Sequence, residues 1–439
     1  MAHKTLTTQT VSFTHSGGIR NFNQSMKHVL TSAGLLALGA VTLHAYDPEM
    51  SRQRTGRPWA LGATVRGFYD DNVATSHKNK EASFGVQVSP SIHLNLPLEQ
   101  TFISLGYVYG LNWYDNRDEN IDQSHEFNAR LDHKFSPRHD ISVADSFVYS
   151  SEPTLADQGG IITSPIRTDS SVFHNTGSIS DNLGLTKKWA LGMGYVNNWS
   201  NYEQDGDGSR SALLDRIEQL FRADLRYLFN PHFVGLIGYN FGLNSYTGDE
   251  YLDPVIKVHK SDFRDSYVHR GYAGFEYNIT AKLVTSLRIG AQYTDYHESG
   301  ESAVSPYLDA SLTYRYLPGG SLQFGIKHDN SATDVANVDT TTGVPTLDAG
   351  TTAIYGQLTH QLTRSLTGSL NAQYQNAVFN NGLYDGDSEG FWMLGANLEY
   401  RFNNHWSVDT GYNYDNLDSE VPGRSYDRNR IYVGVHVSY

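Results

Sequence analysis

From Trp59 to Tyr439 the chain repeats one plan that few folds can satisfy. An alternating apolar/polar run ends in a tight turn, a second run returns, and a long polar connection leads to the next pair. A period of two sends successive side chains to opposite faces, so each run is a strand with one apolar and one polar side. Trp59, Leu61, Ala63 and Val65 oppose Ala60, Gly62, Thr64 and Arg66; Phe84, Val86, Val88, Ile92, Leu94 and Leu96 oppose Gln87, Ser89, Ser91, His93 and Asn95. The runs exceed the roughly five or six residues of a mean strand. They suit the roughly 9 to 11 tilted residues needed to cross a bilayer. The turns, in segments such as 131–142, 225–236, 275–286 and 398–409, use Asn, Ser, Thr, Pro, Gly and basic residues, which accept tight-hairpin angles. A propeller blade would need four short strands per repeat, where this chain has two long ones.

The runs extend from near 58–70 to near 425–439, with the eighth near 212–229 and the tenth near 263–279. Their spacing predicts an all-β, transmembrane, antiparallel up-and-down β-barrel of about 18 strands, with about 16 as the runner-up. The last strand is the clearest: Ile431, Val433, Val435, Val437 and Tyr439 share one parity, and Arg430, Tyr432, Gly434, His436 and Ser438 the other. The apolar set is expected to face lipid and the polar set the lumen. Stopping on an aromatic strand residue resembles bacterial outer-membrane β-barrel proteins. The resemblance implies that the outer-membrane assembly machinery reads the strand ending at Tyr439.

Composition narrows the alternatives. The 439 residues include no Cys, which removes disulfides, thiolate zinc sites and a lipid-anchored Cys. A formal net charge of −14 argues against nucleic acid as a partner. No run of about 18 apolar residues occurs, so no membrane-spanning helix is expected. Met26-Lys27-His28, the apolar run Val29 to Leu43 and Ala45 read as a signal peptide over residues 26–45. Residues 1–25 read as an extension ahead of a true start at Met26, 46–57 as a short periplasmic lead-in, and 58–439 as the barrel.

Applied to every strand, the parity rule collects charge on the lumenal side. Arg130, Arg216, Arg222, Arg226, Arg270, Arg288, Arg315, Arg401 and Arg430 fall there with Glu218, Asp224, Glu276 and Glu399. So do Arg66, Lys327, Asp309, Asp329, Asp409 and Asp415, and also Arg264 and Arg428. Charge confined to one parity requires that parity to see water, because Arg or Lys at the lipid midplane costs about 2–4 kcal/mol. These side chains either favour anions in the lumen or brace the wall, with Arg216/Glu218, Arg222/Asp224 and Glu399/Arg401 expected to pair across strands. Acidic loops such as 115–119 are expected to stay solvated, or to meet lipopolysaccharide through divalent cations. The longest connection, 150–171, contains Gly159-Gly160 and few charges, and is expected to fold partly into the lumen.

No G-x-S-x-G, H-E-x-x-H or Walker loop occurs. His133, His360 and His436 lack fixed-spaced partners, while His139-Asp140 and Asp145-Ser146 share one strand without a stated convergence. No catalytic, metal or cofactor site is therefore expected. Gly67-Phe68-Tyr69-Asp70-Asp71-Asn72-Val73 is similar to a strand-end motif of the putative β-barrel porin 2 group. That resemblance implies an outer-membrane, porin-like channel for passive diffusion of hydrophilic solutes, with anionic ones as the finer expectation. Export of an anionic exopolysaccharide, or a structural or adhesive barrel with a closed lumen, are the alternatives. Lipid and lipopolysaccharide would surround the wall.

Overall fold

The computed structural model describes residues 58–117, 120–151 and 171–439. The signal-peptide reading and nearly all of the 150–171 connection lie outside these residues. Eighteen strands follow one another: β1 (Trp59–Asp70), β2 (Ser83–Pro97), β3 (Thr101–Tyr114), β4 (Ile121–Ser136), β5 (His139–Ser150), β6 (Val172–Gly184), β7 (Trp189–Tyr202), β8 (Arg216–Asn230), β9 (Phe233–Tyr246), β10 (Ser266–Asn278), β11 (Leu283–Tyr296), β12 (Glu301–Leu317), β13 (Gly320–Ser331), β14 (Asp348–Gln361), β15 (Leu366–Asn380), β16 (Ser388–Arg401), β17 (Trp406–Ser419) and β18 (Tyr426–Ser438). Each pairs antiparallel with its sequence neighbours, and β18 pairs with β1, so the sheet closes without an edge. Closure matters because an unpaired strand edge cannot be satisfied in hydrocarbon.

The parity read from the terminal strand holds around the ring. Val433 and Ile431 are 58% and 52% exposed, Val65 on the adjoining strand 50%, and Ile237 of β9 on the far side 59%. Aromatic pairs lie toward the strand ends, among them Trp189–Tyr227, Tyr149–Phe173 and Tyr400–Phe402. An outward apolar band between aromatic girdles is what a lipid belt requires.

Two expected strand starts are corrected. The eighth does not begin at 212, because Arg210–Leu214 form a single helical turn, α1, whose Ala212 amide donates to Ser209 Oγ at 3.3 Å. Asp215 follows it and accepts from the Tyr202 amide (2.6 Å) and Ser211 Oγ (2.7 Å), so local capping overrides the alternation. The tenth does not begin at 263: Ser261–Arg264 is a 3₁₀ turn. Arg264 is therefore a loop residue, not a wall residue.

The motif 67–73 clasps the closing seam. Arg428 of β18 donates from Nε to Asp70 Oδ1 (3.0 Å) and Oδ2 (2.9 Å) of β1, and its Nη2 also bonds that carboxylate. Asp71 takes the Asn429 amide at 2.6 Å, while the Asn72 side-chain amide donates to Asp427 O at 3.0 Å. Both members of the Asp70–Arg428 pair are almost fully enclosed. Removing one partner of such a pair strands the other charge, at a cost of about 3–5 kcal/mol. Asp70→Ala is expected to lower the temperature at which the barrel loses its heat-modifiable gel mobility; an unchanged temperature would deny the clasp its role.

Candidate functional site: the lumen wall and the loop end

Wall side chains from strands two or three apart reach one another across the concave face of the closed sheet. Arg66 of β1 meets Asp409 of β17 at 2.6 Å, Arg226 of β8 meets Glu276 of β10 at 3.7 Å, and Arg270 of β10 meets Asp329 of β13 at 3.5 Å. From β8 to β13 these contacts merge into one cluster. Arg226 lies 3.7 Å from Asp224 and from Glu276; Arg288 lies 3.2 Å from Glu276 and 3.8 Å from Asp309. Arg270 donates to Gln292 Oε1 at 2.6 Å and lies over the Tyr307 ring, and Lys327 shares Asp329 at 3.2 Å. Tyr272 donates its hydroxyl to Asp224.

Elsewhere the pairing is local. Arg130–Asp132, Arg216–Glu218 and Arg401–Glu399 each close at 2.9 Å along one strand, where two-residue spacing keeps both on the same face. Bracing of the last two was expected across strands; it runs along them. Arg430 meets Asp415 on the neighbouring strand at 2.7 Å. Arg315 is not drawn into any of this, because the β12–β13 register shifts between Tyr314 and Leu317 and leaves it exposed at the short-turn end.

Arg222 stands apart. Asp224, two residues on, is engaged by Arg226 and Tyr272, and Arg222 has neither a hydrogen bond nor an ion pair among the described residues. Its guanidinium lies over Gly194 of β7, where a Cβ would come within 3.2 Å of Nε, so the bare glycine keeps the space open. Counting the cluster, the five cations Arg222, Arg226, Arg270, Arg288 and Lys327 face the four carboxylates Asp224, Glu276, Asp309 and Asp329. The excess charge corresponds to Arg222, which Asp224 attracts only at longer range than an ion pair.

At the end carrying the long connections, loop 332–347 is the hub. Asp334 accepts Arg424 Nη2 at 2.8 Å and Nη1 at 3.1 Å, and also accepts Arg210 Nη1. Arg424 continues to Glu389 at 3.2 Å. Arg210 comes from the β7–β8 connection and Arg424 from β17–β18, which lie on nearly opposite sides of the ring, so this chain of charges crosses the opening. Arg264 ties in from a third loop, donating to Thr333 O at 3.0 Å and to Leu213 O over the Tyr246 ring. Val335, Ala349, Ala377, Phe379 and Val421 pack together beneath. Gly382 has φ +78°, and a Cβ there would strike the Thr346 backbone at 2.3 Å, so only glycine fits that approach. No sequence signal marked loop 332–347 as the inward one.

Burial by itself would raise the Asp334 carboxyl, but the Arg424 and Arg210 guanidinium groups hold it well below the usual carboxylate range. A carboxyl lowered on folding gives its full contribution above its unfolded value and loses it only as pH falls through the lowered one. The crossing should therefore persist from neutral pH down through about pH 4, where ordinary carboxylates titrate. Resistance of residues 332–347 to an acid-active protease is expected to hold over that range, with Glu389, raised by burial, protonating first and leaving the two Asp334 pairs in place; release of the loop near pH 4–5 in a Glu389→Gln background would contradict it.

Ser146 and Asp140 face inward on β5, whereas Asp145 and His139 face outward, so neither sequence pair converges. His436 bonds Thr64 Oγ1 (2.9 Å), His133 Thr101 Oγ1 (2.8 Å) and His360 Tyr316 Oη (2.7 Å), all contacts between strands. No cluster of three metal-ligating side chains occurs among the described residues.

The family model described as "Putative beta-barrel porin 2" matches residues 62–439. The chain belongs to that porin family. Membership, with a closed 18-strand barrel, makes it a porin-like channel protein of the outer membrane. No curated protein matches it by sequence. Solved structures similar to this porin include OccAB4 of Acinetobacter baumannii, with 10% identity and a TM-score of 0.42, covering 87% of this chain and 99% of that one. OccK2 (OpdF) of Pseudomonas aeruginosa, in complex with glucuronate, has 12% identity, a TM-score of 0.43 and coverage of 87% and 98%. OpdK of the same organism, with vanillate, has 10% identity, a TM-score of 0.43 and coverage of 87% and 99%.

Proposed function

We propose that this porin passes small hydrophilic solutes by passive diffusion, admitting anions in preference to cations, with loop 332–347 limiting their size. The observation that carries the reading is Arg222, a cation with no hydrogen bond or ion pair among the described residues and only longer-range attraction from Asp224, in a wall cluster of five cations against four carboxylates. A fixed lumenal charge concentrates counter-ions and sets selectivity. The remaining pairs brace the wall, including Arg130, Arg216, Arg401 and Arg430 with their partners. No catalytic role is proposed.

The Arg210–Asp334–Arg424 crossing favours small solutes over an exported polymer, since a polysaccharide would have to part it. Export of the protein itself would use residues 26–45, removed on secretion, and assembly would read the strand ending at Tyr439. The last residue exchanges backbone bonds with Leu61 at 2.8 and 3.0 Å. The reversal potential across a salt gradient tests the selectivity: a value toward the anion Nernst potential supports it, and one toward the cation potential refutes it.

A further inference from the structure

Charge is spread unevenly along the barrel axis. The formal net charge is −14, and the long connections are acidic: 247–265 alone has Asp249, Glu250, Asp253, Asp262 and Asp265 against Lys257, Lys260 and Arg264. The opposite end reverses the sign. The eight short turns, from 98–100 to 402–405, hold Arg138, Lys187, Lys188, Lys282 and Arg364 and one carboxylate, Glu99. Lys134 and Arg315 add to them at adjoining strand ends, and all seven cations are exposed. None of the seven forms an ion pair among the described residues. Two carboxylates near these turns are engaged elsewhere, Asp140 by Asn182 Nδ2 at 3.2 Å and Asp181 by His139 Nε2 at 2.8 Å.

Four of the cations share one sector. The Gly184 amide donates to Arg138 O at 2.7 Å, which sets the β4–β5 and β6–β7 turns side by side. Lys134 and Arg138 belong to the first, Lys187 and Lys188 to the second. Like charges gathered on one surface create a field that draws anions. Lys188 Nζ lies 5.7 Å from the centre of the Tyr227 ring, and Tyr227 pairs with Trp189 at 4.7 Å. The ammonium group is therefore level with the aromatic girdle, where lipid headgroups lie. The same turns also expose apolar side chains, Phe135 at 56% and Leu185 at 50%. A free anion or an acidic polymer would meet the cations and leave these two in water, whereas a phospholipid satisfies both.

We propose that the short-turn end binds anionic phospholipid of the leaflet it faces, of the phosphatidylglycerol type. The headgroup phosphate meets Lys134, Arg138, Lys187 and Lys188, and the acyl chains lie against Phe135 and Leu185. Short turns of such barrels face the periplasm, so the leaflet is the inner one of the outer membrane. Near an anionic surface each such cation is worth about fivefold in affinity. The site needs no open lumen, so it stands or falls apart from the channel reading.

Native mass spectrometry of the refolded barrel tests it, in detergent with equal amounts of phosphatidylglycerol and net-neutral phosphatidylethanolamine bearing the same acyl chains. Phosphatidylglycerol adducts are expected to outnumber the others by about fivefold or more. The combined variant Lys134→Gln, Arg138→Gln, Lys187→Gln and Lys188→Gln should bring the two to parity in a barrel that stays heat-modifiable. Arg138→Gln alone should lower the excess part-way, which decides the matter if the combined variant does not refold. Lys257→Gln with Lys260→Gln, at the loop end, should keep the excess. Equal adducts on the wild type overturn the proposal, as does an excess that survives the turn variants or is lost equally in the loop-end one. Displacement of the lipid by millimolar inorganic phosphate also overturns it, since the site would then be one for a free anion.

Discussion

Asp334→Asn is expected to raise single-channel conductance and to make residues 332–347 cleavable by added protease, with the barrel itself intact. The wild-type carboxylate holds Arg210 and Arg424 from opposite sides of the opening, and all three side chains are at most 20% exposed. An amide leaves two enclosed guanidinium groups facing each other. Breaking a buried pair in this way costs about 3–5 kcal/mol. That penalty falls on the loop assembly alone, because the wall hydrogen-bonds through ladders that Asp334 does not enter. The crossing should then open for most of the time. Unchanged conductance together with a loop still resistant to protease would show that the charge chain is not what holds it.

Arg222→Glu is expected to carry the second largest effect, on selectivity and not on size. The substitution turns five cations against four carboxylates into four against five. A unit charge about 4 Å from a passing ion is worth about 1 kcal/mol even at the dielectric of water. Reversing the charge should therefore lower the anion-to-cation permeability ratio by about fivefold or more. Arg288→Gln serves as the comparison: it removes a cation already paired with Glu276 and Asp309, frees a carboxylate, and should move the ratio in the same direction but less. An Arg222→Glu channel with the wild-type reversal potential would remove Arg222 from the account.

The strand number, the closure and the facing of the wall were legible because a period of two survives along each strand and depends on nothing distant. Partner choice was not legible, because it depends on curvature. Arg222 and Asp224 look like a pair in the sequence, yet Asp224 is taken by Arg226 and by Tyr272 from β10. Only folding the sheet into a ring brings that hydroxyl across. Arg264 read as a wall residue because the polar loop before β10 happens to keep the alternation, and the 3₁₀ turn at 261–264 ends it.

Loop 332–347 was hidden for a different reason. Val335, Val338 and Leu347 are spaced without a period, so their burial, with Val335 packed among Phe379 and Val421, follows from loops meeting across the ring and from no local pattern.

The most direct measurement is planar-bilayer conductance of the refolded wild-type barrel across a potassium chloride gradient. The account predicts steady small-conductance channels whose reversal potential lies toward chloride, with larger events in Asp334→Asn. A cation-selective reversal potential, or silence from both proteins when each is a heat-modifiable barrel, would contradict it.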